Sequence, residues 1–178
     1  MKNKIFPGKA AITGGIFTAA ICLVMNLFLI PQIEAETNGI RCFDMNFGYT
    51  PETAREFLSL IGERGRFIYL YRQLPLDFIY PVFYTLLFVS LICLLCKNKK
   101  LLKAFLVLPA LLALFDYAEN IMSVIMLKNG IPSDAFVKAA SCVTAAKTVL
   151  MYLIILIIII LLVKYLISRK GENKNADA

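Results

Sequence analysis

Apolar residues dominate four stretches of this chain, at residues 10–30, 77–96, 104–127 and 139–163. Each is close to or above the roughly 20 residues that span the hydrocarbon core of a bilayer. The last ends in Leu153-Ile-Ile-Leu-Ile-Ile-Ile-Ile-Leu-Leu-Val163. That run is apolar on every side, where a helix of a soluble bundle would keep a polar stripe. The pattern predicts an all-α, polytopic membrane protein whose four transmembrane helices, at about 10–30, 75–96, 104–127 and 139–166, form an antiparallel bundle. The whole chain, 1–178, reads as a single membrane domain.

Between the first and second runs, residues 31–74 mix polar and apolar positions. Thr50-Pro-Glu reads as a helix start, with Thr50 as N-cap, Pro51 in the first helical position and Glu52 in the first turn. Ala54, Phe57, Leu58 and Ile61 make an apolar stripe, and Gly62 is a natural stop. A second helical stretch, Arg66–Arg72, runs toward the membrane. Its Tyr69 and Tyr71, with Tyr80 and Tyr84, fit the interfacial aromatic belt. This segment is expected to form a short helical extracytoplasmic cap, either closing the bundle or serving as a lid over a pocket. Pro75, Pro81 and Pro109 each remove a backbone donor and invite a kink. Residues 167–178 read as a cytoplasmic tail, whose polar end from Gly171 onward is expected without fixed structure.

Composition agrees with the pattern. Hydrophobic residues make up 60% and charged residues 17% of 178, with a mean hydropathy of +0.74. A soluble chain of this size could not cover so much apolar surface. The net charge of +7 falls on short flanks of the apolar runs, which excludes a nucleic-acid surface. The N-terminal flank, the 97–103 connection and the tail carry eleven basic residues against two acidic ones, while the opposite side carries seven of each. Positive flanks stay inside, so both termini are expected in the cytoplasm, with the protein in the cytoplasmic membrane. Lys2 and Lys4 before the first run, with Ile33-Glu-Ala35 after it, imitate a secretory signal. The run is longer than such a signal needs, and a retained helix is the expected reading. There is no histidine, which removes histidine-based nucleophile systems and His-ligated haem.

The chemistry concentrates in the third run, where Asp116, Glu119 and Asn120 share one helix face. Counting about 1.5 Å per residue places Asp116 near mid-membrane and Glu119 about one turn further out, level with Lys147 of the fourth helix. A Glu119–Lys147 ion pair is expected, completed by Asn120 or Thr144. Asp77, Tyr80 and Tyr84 follow one face at the outer end of the second helix, and Asn26 of the first lies at similar height. Arg66 and Arg72 are expected at the mouth. One lysine cannot balance three carboxylates. Asp116 is expected to lack a counter-charge and so to hold a proton, a cation or a cationic ligand. Ionisable groups at this depth either fix helix register or line a functional cavity.

Other features carry less. Ala11, Gly15 and Ala19 form a small-residue ridge on the first helix, as do Gly14, Thr18 and Cys22. Such ridges serve close packing within the bundle, or a homodimer or partner subunit. Cys93-Leu-Leu-Cys96 has redox spacing but lies at the cytoplasmic end, where thiols stay reduced, so two ordinary apolar cysteines are expected. Cys42 and Cys142 both fall outside in this topology and are candidates for a disulfide. No aspartate-rich metal motif and no cofactor motif is present, so neither a metal nor a cofactor is expected.

Two stretches, Phe47-Gly-Tyr-Thr-Pro-Glu continuing through Gly62-Glu-Arg-Gly-Arg to Asp77 and Pro81-Val-Phe-Tyr84, and Phe115-Asp-Tyr-Ala-Glu-Asn120, carry a resemblance. Together they resemble a loose group of uncharacterised bacterial four-helix integral membrane proteins. The resemblance implies the architecture and no activity. The expected function is binding of an amphiphilic or cationic small molecule, or a lipid, by Asp77, Tyr80, Tyr84, Asp116, Glu119, Asn120 and Lys147, with Arg66 and Arg72. The alternatives are a structural or accessory subunit whose polar cluster only fixes packing, and a membrane enzyme acting on lipid or isoprenoid substrates through a carboxyl acid.

Overall fold

The computed structural model describes residues 5–176, and every element in them is helical. In chain order these are α1 (Ile5–Val24), α2 (Ile30–Glu36), α3 (Pro51–Leu60), α4 (Gly62–Ile68), α5 (Leu74–Leu95), α6 (Lys99–Asn129) and α7 (Asp134–Ala176). A short 3-10 turn covers Phe43–Met45. Four helical stretches among the described residues are long and apolar enough to cross a membrane: Pro7–Glu36, Gly62–Leu95, Lys99–Asn129 and Asp134–Arg169. Large apolar side chains such as Ile12, Leu27, Leu114, Val149, Leu156 and Leu166 stand exposed along them, as a hydrocarbon solvent allows.

The helices are longer than the apolar runs that announce them. α1 passes into α2 through a turn of π spacing at Met25–Leu29, and α4 passes into α5 through another at Tyr69–Gln73. In both, an amide reaches back five residues, Ile30 N–H to Met25 O and Leu74 N–H to Tyr69 O. Each wide turn ends two residues before a proline, Pro31 and Pro75. A proline has no N–H and its ring pushes the carbonyl four residues back aside, so the preceding turn widens rather than breaks. The apolar pattern ends the first span near Ile30 and starts the second near Pro75, with Arg66–Arg72 as a helical stretch between them. The structure corrects both, since the helix continues through each proline. It also corrects the tail: α7 runs on to Ala176 instead of ending near 166. Of the basic flank read as cytoplasmic, Lys2 and Lys4 lie outside the described residues, as does Asp177.

Local chemistry sets the remaining boundaries. The Thr50 hydroxyl accepts from Thr53 N–H at 3.2 Å, with Pro51 in the first turn, as expected. Asn98 Oδ1 accepts from Lys100 N–H at 2.9 Å and opens α6. Ser133 Oγ accepts from Phe136 N–H at 3.1 Å and opens α7. Gly62 has φ +56°, a conformation that L side chains rarely adopt, and it separates α3 from α4.

Packing falls into two cores. The larger gathers Ile33, Phe43, Phe57, Ile61 and Tyr69 with Met126 and Leu127 at the end of α6 and Val137 and Ala140 near the start of α7. Arg66 ties this region together, donating to Leu58 O at 2.8 Å and to Leu127 O at the end of α6. Arg55 pairs with Asp134 between α3 and α7. The smaller core is Tyr84, Phe88, Leu112 and Ile154 between α5, α6 and α7. α1 lies against α5, where a Cβ on Gly14 would come within 2.8 Å of Leu87 N and 3.0 Å of Phe83 O. The Gly14 ridge therefore serves contact within the chain.

Candidate functional site

α6 and α7 bring the expected pair together. The Lys147 ammonium donates to Glu119 Oε2, and the Thr144 hydroxyl donates to Glu119 Oε1. Glu119 is 1% exposed, so both its oxygens meet donors where water cannot supply them. Of the two residues expected to complete the pair, Thr144 does so, and Asn120 Nδ2 is buried without a partner among the described residues.

Asp116 is not the orphan that depth counting suggests. Lys147 Nζ also lies 3.3 Å from Asp116 Oδ1, and Tyr84 donates to Asp116 Oδ2 at 2.9 Å. The physical reason lies in helix geometry. Residues 116 and 119 stand one turn apart on one face, and a lysine on the facing helix reaches both. Tyr84 is fully buried in the smaller core and acts as a specific donor at that depth, not as an interfacial ring.

The carboxylate with an unpartnered buried oxygen is Asp77. It is 7% exposed, and Oδ2 has no hydrogen-bond partner among the described residues. One helical turn before it, Gln73 is fully buried with both amide atoms unpartnered among the described residues.

A cavity of about 240 Å³ opens beside these groups. Asp77 and Tyr80 of α5 and Asp116 of α6 line it, with Asn26 of the wide turn after α1 and Lys147 and Thr148 of α7. Met25, Ile30, Met151 and Tyr152 give it apolar walls. A further wall comes from Asp44 and Met45 of the 3-10 turn. Asp44 accepts from Tyr69 OH at 3.0 Å. A second cavity of about 300 Å³ adjoins it, sharing Asp44, Met45, Thr148 and Tyr152 and reaching Asn46 and Phe47. The shared residues form one wall of both, and Asp116 lines the first.

Asp44 is the residue that sequence reasoning misses. It counts there only as one charge of a loop, and a 3-10 turn has no periodicity to say where its side chain points. Asn26, by contrast, lines the cavity as its height suggests, with its amide donating to Cys22 O at 2.9 Å. Arg66 and Arg72 do not line the cavity. Arg66 serves the backbone ties already described, and Arg72 lies over the Phe67 ring, 5.8 Å from its centroid.

Charge sets what this arrangement can do. Four carboxylates, Asp44, Asp77, Asp116 and Glu119, surround the single ammonium of Lys147. With all ionised, three negative charges are left for protons or another cation to balance, since uncompensated charge is costly in a low-dielectric site. Among the described residues no set of three or more His, Cys, Asp or Glu is disposed to hold a metal ion.

The cysteines stand apart from the site chemistry. Cys42 and Cys142 are free thiols, Cys42 buried and Cys142 exposed, so the candidate disulfide is not formed. Burial pushes the Cys42 thiol well above its ordinary range, and the charge of Asp44 adds to this. Tyr49 is pushed up in the same way by burial and then by Glu119. Cys93 and Cys96 are free as well. Compared with protein-family models, curated proteins and solved structures, the chain matches none.

Proposed function

We propose that the acidic cavity binds the cationic headgroup of a small amphiphile. The carrying observation is Asp77, whose buried Oδ2 meets no donor among the described residues, lining a cavity that Asp44 and Asp116 also line. A volume of about 240 Å³ is below the roughly 300–1,000 Å³ of sites that enclose drug-sized ligands. It suits a headgroup better than a whole ligand. Tyr152, 68% exposed at the rim, leaves a side open for an alkyl tail to lie in lipid. An ammonium group entering here meets carboxylates and the Tyr80 ring.

In this reading the four long helices form an antiparallel bundle in a bacterial cytoplasmic membrane. Residues 31–74 make the extracytoplasmic cap, and both termini lie inside. The basic flanks and the resemblance to bacterial four-helix membrane proteins support it. The cavity then lies in the outer half of the membrane, with its Asp44 wall toward the outside.

The test uses the full chain in zwitterionic nanodiscs. Dodecylamine and dodecyltrimethylammonium are expected to raise the melting temperature, while dodecanol and dodecyl sulfate are not. Asp77→Asn is expected to weaken the cationic pair at least about tenfold, the loss of one charge-assisted contact. Equal binding of dodecanol, or full binding by Asp77→Asn, would overturn the proposal.

A second reading has its own support. Glu119, Asp116, Lys147, Thr144 and Tyr84 satisfy one another, which is how a cluster that only fixes helix register is built. Asp116 and Lys147 belong to both readings, since they also line the cavity.

A further inference from the structure

We propose a second binding site, for an anionic phospholipid, at the opposite end of the bundle. A cavity of about 330 Å³ lies between the end of α5, the Lys97-Asn98 connection and α7. Its polar lining is Lys97, Lys164, Tyr165 and Ser168, all with hydrogen-bond donors, and among the described residues no carboxylate lines it. Asn98 also lines it, but its side-chain oxygen is committed to the first amides of α6. The recognition chemistry that remains is two ammonium groups and two hydroxyls, the complement of a phosphate.

The apolar continuation makes the ligand a lipid. A smaller cavity of about 90 Å³ shares Leu101, Leu161 and Lys164 with the first and extends along Phe105, Ile157 and Ile160. A polar head between the two lysines would thus leave an acyl chain in a groove between α6 and α7. Free phosphate has no use for that groove. Lys99, Lys100 and Lys103 lie on the first turns of α6 and do not line the cavity. Along α7, Lys164 is seventeen residues beyond Lys147, about 25 Å at the helical rise. The basic site is therefore separate from the acidic one and near the other face of a core about 30 Å thick.

Native mass spectrometry of the full chain in detergent tests this with dioleoyl phosphatidylglycerol, dioleoyl phosphatidylcholine and inorganic phosphate. Wild type is expected to retain phosphatidylglycerol and not phosphatidylcholine. Lys97→Gln with Lys164→Gln is expected to bind about thirty-fold more weakly, two lysines' worth of attraction. Lys99→Gln with Lys100→Gln removes the same charge from outside the cavity and is expected to bind nearly as wild type does. Three results would each overturn the proposal. These are equal loss in the two double variants, equal retention of phosphatidylcholine, and displacement of the lipid by inorganic phosphate at equal concentration.

Discussion

Lys147 holds two buried carboxylates, so it and Asp77 respond to substitution in opposite directions. Lys147→Met leaves Glu119 and Asp116 without their cation. It is expected to cost about 3–5 kcal/mol, read as thermal unfolding in detergent. Adding Glu119→Gln to that variant is expected to restore part of the loss. Asp77→Asn removes a charge whose buried Oδ2 meets no donor among the described residues, so stability is expected to hold or rise while ligand binding falls, the trade expected where a site stores unfavourable charge. Cys42 offers a separate check. Its raised pKa means the thiol is protonated in the fold at pH 8, and the associated stability is lost only as pH climbs above the unfolded thiol's range. Alkylation at pH 8 is expected to modify exposed Cys142 and spare Cys42, read by peptide mass spectrometry. At this scale the Glu119–Lys147 pair is legible in the sequence, because a constant helical rise converts residue counts into depth. Asp77's isolation is not, because it depends on which neighbours a flexible lysine reaches.

At the scale of elements, the contact of α1 with α5 rests on a missing side chain. Gly14→Ala places a methyl against Leu87 N and Phe83 O of α5, backbone atoms that cannot turn aside. A loss of about 1–3 kcal/mol is expected. Gly15→Ala meets only the Leu87 side chain, at 3.7 Å, and is expected to be neutral, so melting temperatures of the two variants separate the ridges. The small-residue ridges and the Thr50 start of α3 are readable from the sequence because each is local chemistry. The run of α1 into α2 is not, since a proline that ends a helix and one that widens a turn look alike until neighbours pack against the far side.

For the whole molecule, the two proposed sites give the bundle an acidic end and a basic end, the basic one on the side where the flanks carry the positive excess. Impermeant maleimide is expected to label Pro132→Cys, in the α6–α7 connection, on intact cells of a strain expressing the otherwise cysteine-free protein. Lys100→Cys is expected to react only after the membrane is opened. The reverse pattern would invert the topology and place the acidic cavity on the inner side. The four spans are plain in the sequence because lipid demands long apolar runs. The large core around Phe43, Phe57 and Tyr69 is less so, because short helices in a polar-rich segment announce their ends and not their partners.

The paired wide turns have a consequence in the language of insertions and deletions. A π turn is an α-helix carrying one supernumerary residue, and the turns at Met25–Leu29 and Tyr69–Gln73 touch each other. Deleting one residue within Tyr69–Gln73 would restore ordinary spacing and turn everything on one side of it by about 100°, one residue's share of a 3.6-residue turn. Asp77 then could not face the cavity while Tyr69 faces Asp44. The acidic cavity is, in this sense, a frame that two extra residues keep in phase.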